Sequence, residues 1–346
     1  MKRKETCPSV DLFAEQRLRE ALSQFSLVEL RLLDLIPWEI FREKLSVVRA
    51  DYSRGGRPPY DEILMFKCLI LQALYNLSDE ALEIEIYNRT SFRVFLGMNI
   101  ASDVPDRNTI WKFRERLDSH GLTKLLFDEF TSLLTEKGLV VKKGSIVDAT
   151  FVEAPKQRNT PEENKTIKSG KNRNEVFKER SFRSRSQKDT DARWASKNRE
   201  QHFGYKNHIR ATVDKKFIID YLVTSASVYD GKVFLDLLPE QAETDQSVVY
   251  ADSAYGSADN IAQLRERGYT PKINAKGSRF KKLTAAQIKN NNLLSKTRCR
   301  IEHIFADMTI RANGLIVRTI GLSRARVKIG LMNLAYNMRR YLTLIS

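Results

Sequence analysis

The chain has 346 residues, 42% of them hydrophobic, which is enough to bury a full core and, by length, to form two or three domains. No apolar run approaches the roughly 20 residues of a membrane span, and the basic N-terminus lacks the apolar segment of a secretory signal. The three cysteines and four histidines are scattered, which argues against a disulfide framework or a zinc finger. The net charge of +16 is not a uniform coat, because residues 1–155 carry −2, residues 156–216 carry +10, residues 217–264 carry −7 and residues 265–346 carry +15. These features predict a soluble cytoplasmic protein whose basic blocks attract a polyanion.

The first third of the chain is predicted to be helical. Residues 10–50 have apolar positions at three-to-four spacing, interrupted by Pro37. The RGGRPP run at 54–59 cannot be helical and predicts a turn. Asp61 then precedes a long helix, EILMFKCLILQALYN, that is apolar around most of its circumference, and Ser78 is placed to cap the next one. The sequence therefore predicts a helical bundle with a buried central helix.

A further helix, RNTIWKFRERL, is predicted to start after the capping residue Asp106. Ile110, Phe113 and Leu117 share its core-facing side. Its other faces carry Arg107, Asn108, Trp111, Lys112, Arg114 and Arg116. This arrangement suits a recognition helix of a helix-turn-helix, and it equally suits an ordinary amphipathic helix with a solvated basic face.

From Lys143 onward the pattern changes to strands. GSIVDATFVEAP predicts a strand with Asp148 on one face, followed by a polar stretch over 156–201 that we interpret as a loop or partly ordered basic insertion. FGYKNHIRATVD and FIIDYLVTSASVYD predict two strands joined by a turn at 214–216. A helix is expected over Val233 to Glu243.

The stretch SVVYADSAYG places Asp252 at the end of a short buried strand. A carboxylate there is costly unless a cation or a donor compensates it, although capping the next helix, near 258–267, is an alternative role for Asp252 or Ser253. A short strand over 270–275 and a long helix from Thr284 follow, and two basic segments end the sequence.

Three carboxylates can meet in this order of elements. If the first and fourth strands pair, Asp148 and Asp252 come together, and a helix packed across that edge can supply Glu302. Converging carboxylates repel one another, and divalent cations relieve that repulsion. Spacing alone does not exclude other acids of the strand region from the third role, namely Glu153, Asp220 and Asp230.

Such a site suits chemistry on a nucleic-acid backbone. Mg²⁺ prefers carboxylates and phosphate oxygens, and a pair of ions about 4 Å apart can activate an attacking oxygen and stabilise a leaving one. Arg298 lies one helical turn before Glu302, where it could orient Glu302, hold a phosphate, or form only a surface ion pair.

At these residues the sequence resembles the DDE transposases of bacterial insertion sequences, specifically the insertion sequence five group. The segment from GRPPYDEILMFKCLIL to SFRVFLG, followed by VPDRNTIWKFRERL, looks like the N-terminal domain of that group. VDATFVEAP resembles the first-Asp motif, FGYKNHI the following strand, YADSAYGS the second-Asp motif and RCRIEHIF the Glu motif. The resemblance covers nearly the whole chain.

The resemblance implies an α/β fold in two parts: an all-α N-terminal domain over 1–140 for DNA binding and oligomerisation, and a ribonuclease-H-like mixed-sheet domain over 141–346. It implies two Mg²⁺ ions, with Mn²⁺ as substitute, at the catalytic acids Asp148, Asp252 and Glu302. It also implies double-stranded DNA partners, terminal inverted repeats and target, and a homodimer that pairs two ends near the bacterial nucleoid. The reaction would be cleavage at the end of the element followed by attack of the freed 3′-hydroxyl on target DNA.

Two positions depart from the family pattern, because Ser295 replaces the usual Tyr and Thr309 replaces the usual Lys around the Glu motif. The residues expected to contact DNA are Arg107, Asn108, Lys112, Arg114, Lys206, Arg298, Arg300 and Arg311. Two other functions remain open at this point, a stand-alone Mg²⁺-dependent endonuclease and a non-catalytic DNA-binding protein derived from a transposase.

Overall fold

A computed structural model describes residues 14–48, 58–99, 101–141, 144–197, 199–242, 247–277, 282–311 and 314–345. Of the turn predicted over 54–59, only the two prolines lie among these residues.

The N-terminal part is all helical, as predicted. Its helices are α1 (Ala14–Ser23), α2 (Val28–Leu35), α3 (Arg42–Leu45), α4 (Glu62–Tyr75), α5 (Asp79–Asn88), α6 (Thr90–Leu96), α7 (Arg107–Ser119) and α8 (Leu122–Glu136). Pro37 ends α2, and a 3₁₀ turn, Trp38–Phe41, follows it. The predicted caps Ser78 and Asp106 are present, and Asp61 also acts as a cap. The three side chains accept backbone N–H groups at the starts of α5, α7 and α4, respectively. Helix α4 is buried on nearly all sides, as its composition indicated.

Six strands form one mixed sheet. They are β1 (Gly144–Glu153), β2 (Arg193–Lys197), β3 (Glu200–Thr212), β4 (Ile218–Ser225), β5 (Val248–Ala251) and β6 (Thr270–Ile273). The order is β2-β3-β1-β5-β6, with β4 also paired to β3. β1 is antiparallel to β3 and parallel to β5, which is parallel to β6. This confirms the predicted ribonuclease-H-like mixed sheet with an all-α N-terminal region.

The polar stretch over 156–201 differs from the predicted loop. It forms three short helices, α9 (Pro161–Lys168), α10 (Arg173–Val176) and α11 (Phe182–Ser186), before β2. Thr160, Asn172 and Ser181 cap these helices with their side chains, and α9 has a full capping box. Each of these helices starts at a single polar capping residue. The sequence lacked the apolar periodicity from which a helix would have been predicted.

Two carboxylates, the buried Asp189 and the exposed Asp191, tie this insertion to the rest of the molecule. Asp189 is 3% exposed and accepts the Tyr205 hydroxyl at 2.5 Å and the Gly321 N–H at 3.1 Å. Asp191 accepts the Leu322 N–H at 2.9 Å. The insertion is therefore attached both to β3 and to the start of the last helix.

The prediction of a helix over Val233 to Glu243 was wrong for residues 233–242, and Glu243 lies outside the described residues. Asp230–Lys232 and Leu235–Leu237 form two separate 3₁₀ turns. Phe234 and Leu237 are buried under the second face of the sheet, which needs only one turn of apolar side chains rather than a full amphipathic helix.

Three helices complete the fold: α12 (Ala258–Glu266), α13 (Ala285–Arg311) and α14 (Leu322–Ile345). Helix α14 is buried along most of its length and packs against α2, α4, α7, α8, β3 and β4. Its Asn333 exchanges amide hydrogen bonds with Asn207 of β3 at 2.7 and 3.1 Å, and its Asn337 bonds both backbone groups of Ile218. One hydrophobic core thus runs from the N-terminal helices through α14 to the sheet.

Within the described ranges, the helices include none whose length and apolar character would suffice for crossing a membrane.

Candidate active site

Strand pairing brings the first two predicted acids together. Val147 of β1 pairs with Ala251 of β5 in parallel register, so the next residues, Asp148 within β1 and Asp252 directly after β5, lie side by side. β5 ends at this point while β1 continues. The predicted pairing of the first and fourth strands is therefore confirmed, and it creates a carboxylate pair at the edge where β5 stops.

The Asp252 carboxylate is held by the turn that follows it. Its Oδ1 accepts the Ala254 N–H at 2.6 Å, which makes Asp252 the cap of a 3₁₀ turn, Ser253–Tyr255. Helix α12 has its own cap, because Ser257 Oγ accepts the Asn260 N–H at 3.1 Å. The other carboxylate oxygen of Asp252, Oδ2, faces Arg298 of α13.

One guanidinium reaches both carboxylates. Arg298 Nη2 lies 3.9 Å from Asp148 Oδ2 and 3.8 Å from Asp252 Oδ2. The Arg298 side chain is only 16% exposed, and its Nε has no hydrogen-bond partner among the described residues. Arg298 therefore neutralises part of the charge of the pair from the α13 side.

Burial sets the electrostatics of Asp148. Desolvation raises the pKa of this carboxyl above its ordinary value, the Ala149 N–H and the charges of Arg298 and Lys197 pull it down, and Asp252 adds to the rise. Lys197, at the end of β2, was not among the predicted site residues. A second cation near the carboxylates, contributed by the insertion, has no signal in a single sequence.

A buried hydroxyl lies close to the same carboxylates. Tyr255 is 1% exposed, and its hydroxyl has no hydrogen-bond partner within the described part of the chain. Burial raises its pKa well above the ordinary value, and the charges of Asp148, Asp230 and Asp252 add to this rise. Tyr255 is a neutral group of the site under any ordinary condition.

The third predicted acid, Glu302, is on α13 but stands apart from the pair. The helix packs against β1 and β5, and Ile301, Ile304 and Met308 are its buried positions. Glu302 is exposed, and the described residues give it no hydrogen bond or ion pair, so the predicted orientation of Glu302 by Arg298 is not observed. Across the ranges described above, no three His, Cys, Asp or Glu side chains lie close enough together to hold a metal ion.

Each of the three competing acids lies next to a basic group. Glu153 Oε1 lies 3.4 Å from His202 Nδ1, and Asp220 Oδ1 lies 3.3 Å from Lys124 Nζ. Asp230 Oδ1 accepts from Lys206 Nζ at 2.8 Å. Of the candidates for the third acid, Glu302 is the one that lies on α13, the helix that also carries Arg298.

The donor chemistry at the pair fits a hard divalent cation. Asp148 and Asp252 offer carboxylate oxygens only, and Mg²⁺ is commonly held by one or two carboxylates together with water and phosphate oxygens. Arg298 occupies the position of a cation between them. The two aspartates therefore fit Mg²⁺ or Mn²⁺ by themselves, and Glu302 would join them only after its side chain turns toward the pair.

On the predicted recognition helix, α7, some of the expected DNA-contacting side chains are exposed and one is buried. Arg107, Asn108 and Lys112 are exposed, although Arg107 Nη1 contacts Glu80 at 3.1 Å. Arg114 is 5% exposed and forms a bidentate ion pair with Asp79 at 2.5 and 2.7 Å. This placement gives Arg114 a structural role in place of the DNA contact expected from the sequence.

The remaining predicted DNA contacts also differ from one another. Lys206 donates to Asp230 and to the Val228 carbonyl, both at 2.8 Å, and is largely buried, so its charge serves the interior. Arg300 is exposed and donates to the Val213 carbonyl at 2.7 Å. Arg311 is 60% exposed and pairs with Asp307 at 2.7 Å. Arg300 and Arg311 thus keep most of their surface in solvent.

Two family models match the sequence. The model described as "Transposase DDE domain" matches residues 141–338, and the model described as "Transposase domain (DUF772)" matches residues 17–116. Among solved structures, the chain is similar to one described as "Cryo-EM structure of piggyBac transposase synaptic complex with hairpin DNA". That similarity has a TM-score of 0.44 and 11% identity, and it covers 89% of this chain and 74% of that chain.

Proposed function

The chain belongs to the DDE transposase family, and from this premise we propose that it binds the terminal inverted repeats of an insertion sequence, cuts the DNA there and joins the freed 3′-hydroxyl to target DNA. The observation that carries this proposal is the pair of carboxylates of Asp148 and Asp252, which lie side by side on adjacent parallel strands and face the largely buried guanidinium of Arg298. Converging carboxylates beside phosphate-binding cations are suited to phosphodiester chemistry.

We propose that Asp148, Asp252 and Glu302 hold two Mg²⁺ or Mn²⁺ ions. When bound, such ions activate an attacking oxygen and stabilise a leaving oxygen at phosphorus. Glu302 is exposed and has no ion pair among the described residues, so its side chain is free to turn toward the pair. Arg298 supports this assignment, because it can hold a phosphate oxygen near both aspartates.

Exposed polar and basic side chains on two helices and on the insertion would form the surfaces that contact DNA. Arg107, Asn108 and Lys112 on α7 are available for contacts, as are Arg300 and Arg311 on α13. The insertion, which follows β1 in the sequence, adds exposed basic side chains, among them Lys156, Lys165, Lys168, Lys171, Lys178 and Arg183. A homodimer acting in the cytoplasm on two paired ends would combine two such surfaces.

The test is cleavage of labelled duplexes that carry the terminal repeats flanking the gene, in Mg²⁺, Mn²⁺ or Ca²⁺. We expect nicking at the repeat boundary that leaves a 3′-hydroxyl, and about a thousandfold loss of it in Asp252→Asn with DNA binding retained. Asp259→Asn is the matched control, because this acid is exposed on α12 close in sequence to Asp252.

Other outcomes would select another function. Binding without cleavage in any metal would favour a non-catalytic DNA-binding protein and would point first to Ser295 and Thr309, whose hydroxyls contact Asn274 and the Phe305 carbonyl. Cleavage without preference for the repeats and without strand transfer would favour an endonuclease. Equal cleavage by Asp252→Asn and the wild type would remove the site assignment.

A further inference from the structure

The Asp252 turn, Asp252 to Gly256, is short and exposed on one side. It follows a strand of four residues, and the Asp252 side chain is 43% exposed. A carboxylate on such a turn holds a fixed position only if the turn itself is held. Contacts from a neighbouring segment, Val228 to Gly231, supply that support.

Tyr229 is the first of these contacts. Its hydroxyl donates to the Ala254 carbonyl at 2.6 Å, and the N–H of the same Ala254 donates to Asp252 Oδ1 at 2.6 Å. The carbonyl and the N–H of Ala254 therefore link the Tyr229 hydroxyl to the Asp252 carboxylate. The Tyr229 side chain is 54% exposed, so it contributes little to the core.

Gly231 and Asn260 fix the other end of the turn. The Asn260 amide donates to the carbonyls of Gly231 and Tyr255 at 3.0 and 3.1 Å, which joins the two segments. A Cβ at Gly231 would lie 2.9 Å from the Ala254 carbonyl oxygen and 2.8 Å from the Tyr229 ring. A side chain at position 231 would therefore require the Tyr229 ring or the Asp252 turn to shift.

Lys206 ties this support to the sheet. Its Nζ donates to the Val228 carbonyl and to Asp230 Oδ1, both at 2.8 Å. Lys206 belongs to β3, whose Ile209 is paired with Asp148 on β1. A path of hydrogen bonds therefore runs from the strand beside Asp148, through Val228 to Gly231, to the turn that carries Asp252.

We propose that Lys206, Tyr229 and Asn260 are positioning residues that hold the Asp252 carboxylate at a fixed place relative to Asp148, and that they thereby set the affinity of the pair for a divalent cation. The role in cation binding rests on the proposed function, whereas the hold on the turn does not. Outer partners of metal-binding carboxylates typically change metal affinity by about 10- to 100-fold when they are removed.

The experiment compares Tyr229→Phe with the wild type in the full-length protein. Amide hydrogen exchange of the Ala254 N–H, measured without metal, should become about tenfold faster, and binding of Mn²⁺ alone, followed by calorimetry, should weaken about tenfold. Metal-free DNA binding should stay unchanged. Tyr87→Phe is the matched control, because Tyr87 is 60% exposed on α5 and has no hydrogen bond to the Asp252 turn.

Lys206 variants add a second, independent arm. Lys206→Met should weaken Mn²⁺ binding and speed Ala254 exchange, and Lys206→Arg, which keeps a donor toward Asp230, should restore most of both. Reduced DNA affinity in Lys206→Met with unchanged Mn²⁺ binding would overturn the positioning role and return Lys206 to the DNA surface.

The outcomes separate this inference from the proposed function. Wild type that binds no Mn²⁺ and cleaves no DNA, combined with faster Ala254 exchange in Tyr229→Phe, would overturn the proposed function and the cation-binding role while the hold on the turn stands. Wild type that binds Mn²⁺ and cleaves DNA, combined with unchanged exchange and Mn²⁺ affinity in both variants, would overturn the positioning role alone.

Discussion

Two aspartates and one arginine illustrate what single residues of this chain reveal. Asp148 and Asp252 were predictable because each follows or interrupts a β-branched run, and a carboxylate at such a place needs compensation. Arg298 was predictable only as a neighbour of Glu302, yet it contacts the two aspartates instead. Helical spacing gives the face on which a side chain lies, but the partner depends on which strands that face covers.

Arg114 shows the same limit from the other side. Its position on α7 predicted exposure next to Lys112, but Asp79 of α5 draws it into a buried ion pair. The sequence contains no sign of that pairing, because Asp79 had a sufficient role as an acid in the first turn of its own helix. Charge counts therefore overestimate the cations that are available for DNA.

His208 provides a prediction about pH. It is fully buried, with Nε2 2.8 Å from Thr224 Oγ1 and Nδ1 3.9 Å from Asp230, and burial lowers its pKa to about 4. The unfolded chain binds a proton near pH 6.5. The contribution of the neutral His208 ring to the free energy of unfolding is therefore fully present above pH 6.5 and is lost as the pH falls toward 4. Between pH 7 and pH 4.5, we expect the free energy of unfolding to fall by about 2 kcal/mol less in His208→Asn than in the wild type.

The measurement is urea unfolding of wild type and His208→Asn at a series of pH values. All other titrating groups are common to the two proteins, so their difference isolates the histidine. Parallel curves with a constant gap would show that His208 does not titrate in this range.

At the scale of elements, regular periodicity was the most reliable predictor. Helices α4, α5, α7 and α13 and the β3–β4 hairpin all lie where the sequence pattern predicted them. The insertion did not, since its three helices have four to eight residues each and depend on caps and on the buried Asp189. Short helices carry too few apolar positions to show a period.

Gly330 provides a prediction about α14. A Cβ there would overlap the Tyr221 hydroxyl on β4 and would lie 2.7 Å from Thr123 Cγ2 on α8. Gly330→Ala should therefore destabilise the protein by about 2 kcal/mol, despite the better helix propensity of alanine. Gly144→Ala is the control, because its Cβ would meet nothing closer than 3.5 Å. Chemical unfolding that shows equal or higher stability for Gly330→Ala would mean that α14 can shift away from the sheet.

At the scale of the whole molecule, the continuous core qualifies the predicted boundary between residues 140 and 141. The two family models end and begin at 116 and 141, which is compatible with that boundary, and it stays a prediction. The helices on its N-terminal side nevertheless bury α14, which lies in the other part of the sequence. The N-terminal segment is thus matched by its own family model but shares its hydrophobic core with α14.

This arrangement predicts the behaviour of a fragment. Residues 1–140 alone should lack a cooperative thermal transition, because removal of α14 exposes the apolar surface of α2, α4, α7 and α8 that it covers. Circular dichroism melting of the fragment, with and without a peptide of residues 321–346, is the measurement. A sharp transition in the fragment without the peptide would establish an independent N-terminal domain.

The position of α14 also determines when the fold can be completed during synthesis. The N-terminal helices end at Glu136 and α14 begins at Leu322, and a ribosome working at roughly 5–20 residues per second needs about ten to forty seconds for the interval. Throughout that time the first helices have no partner for their shared apolar face. Any truncation before Leu322 therefore leaves the N-terminal helices and the sheet without the helix that packs against both.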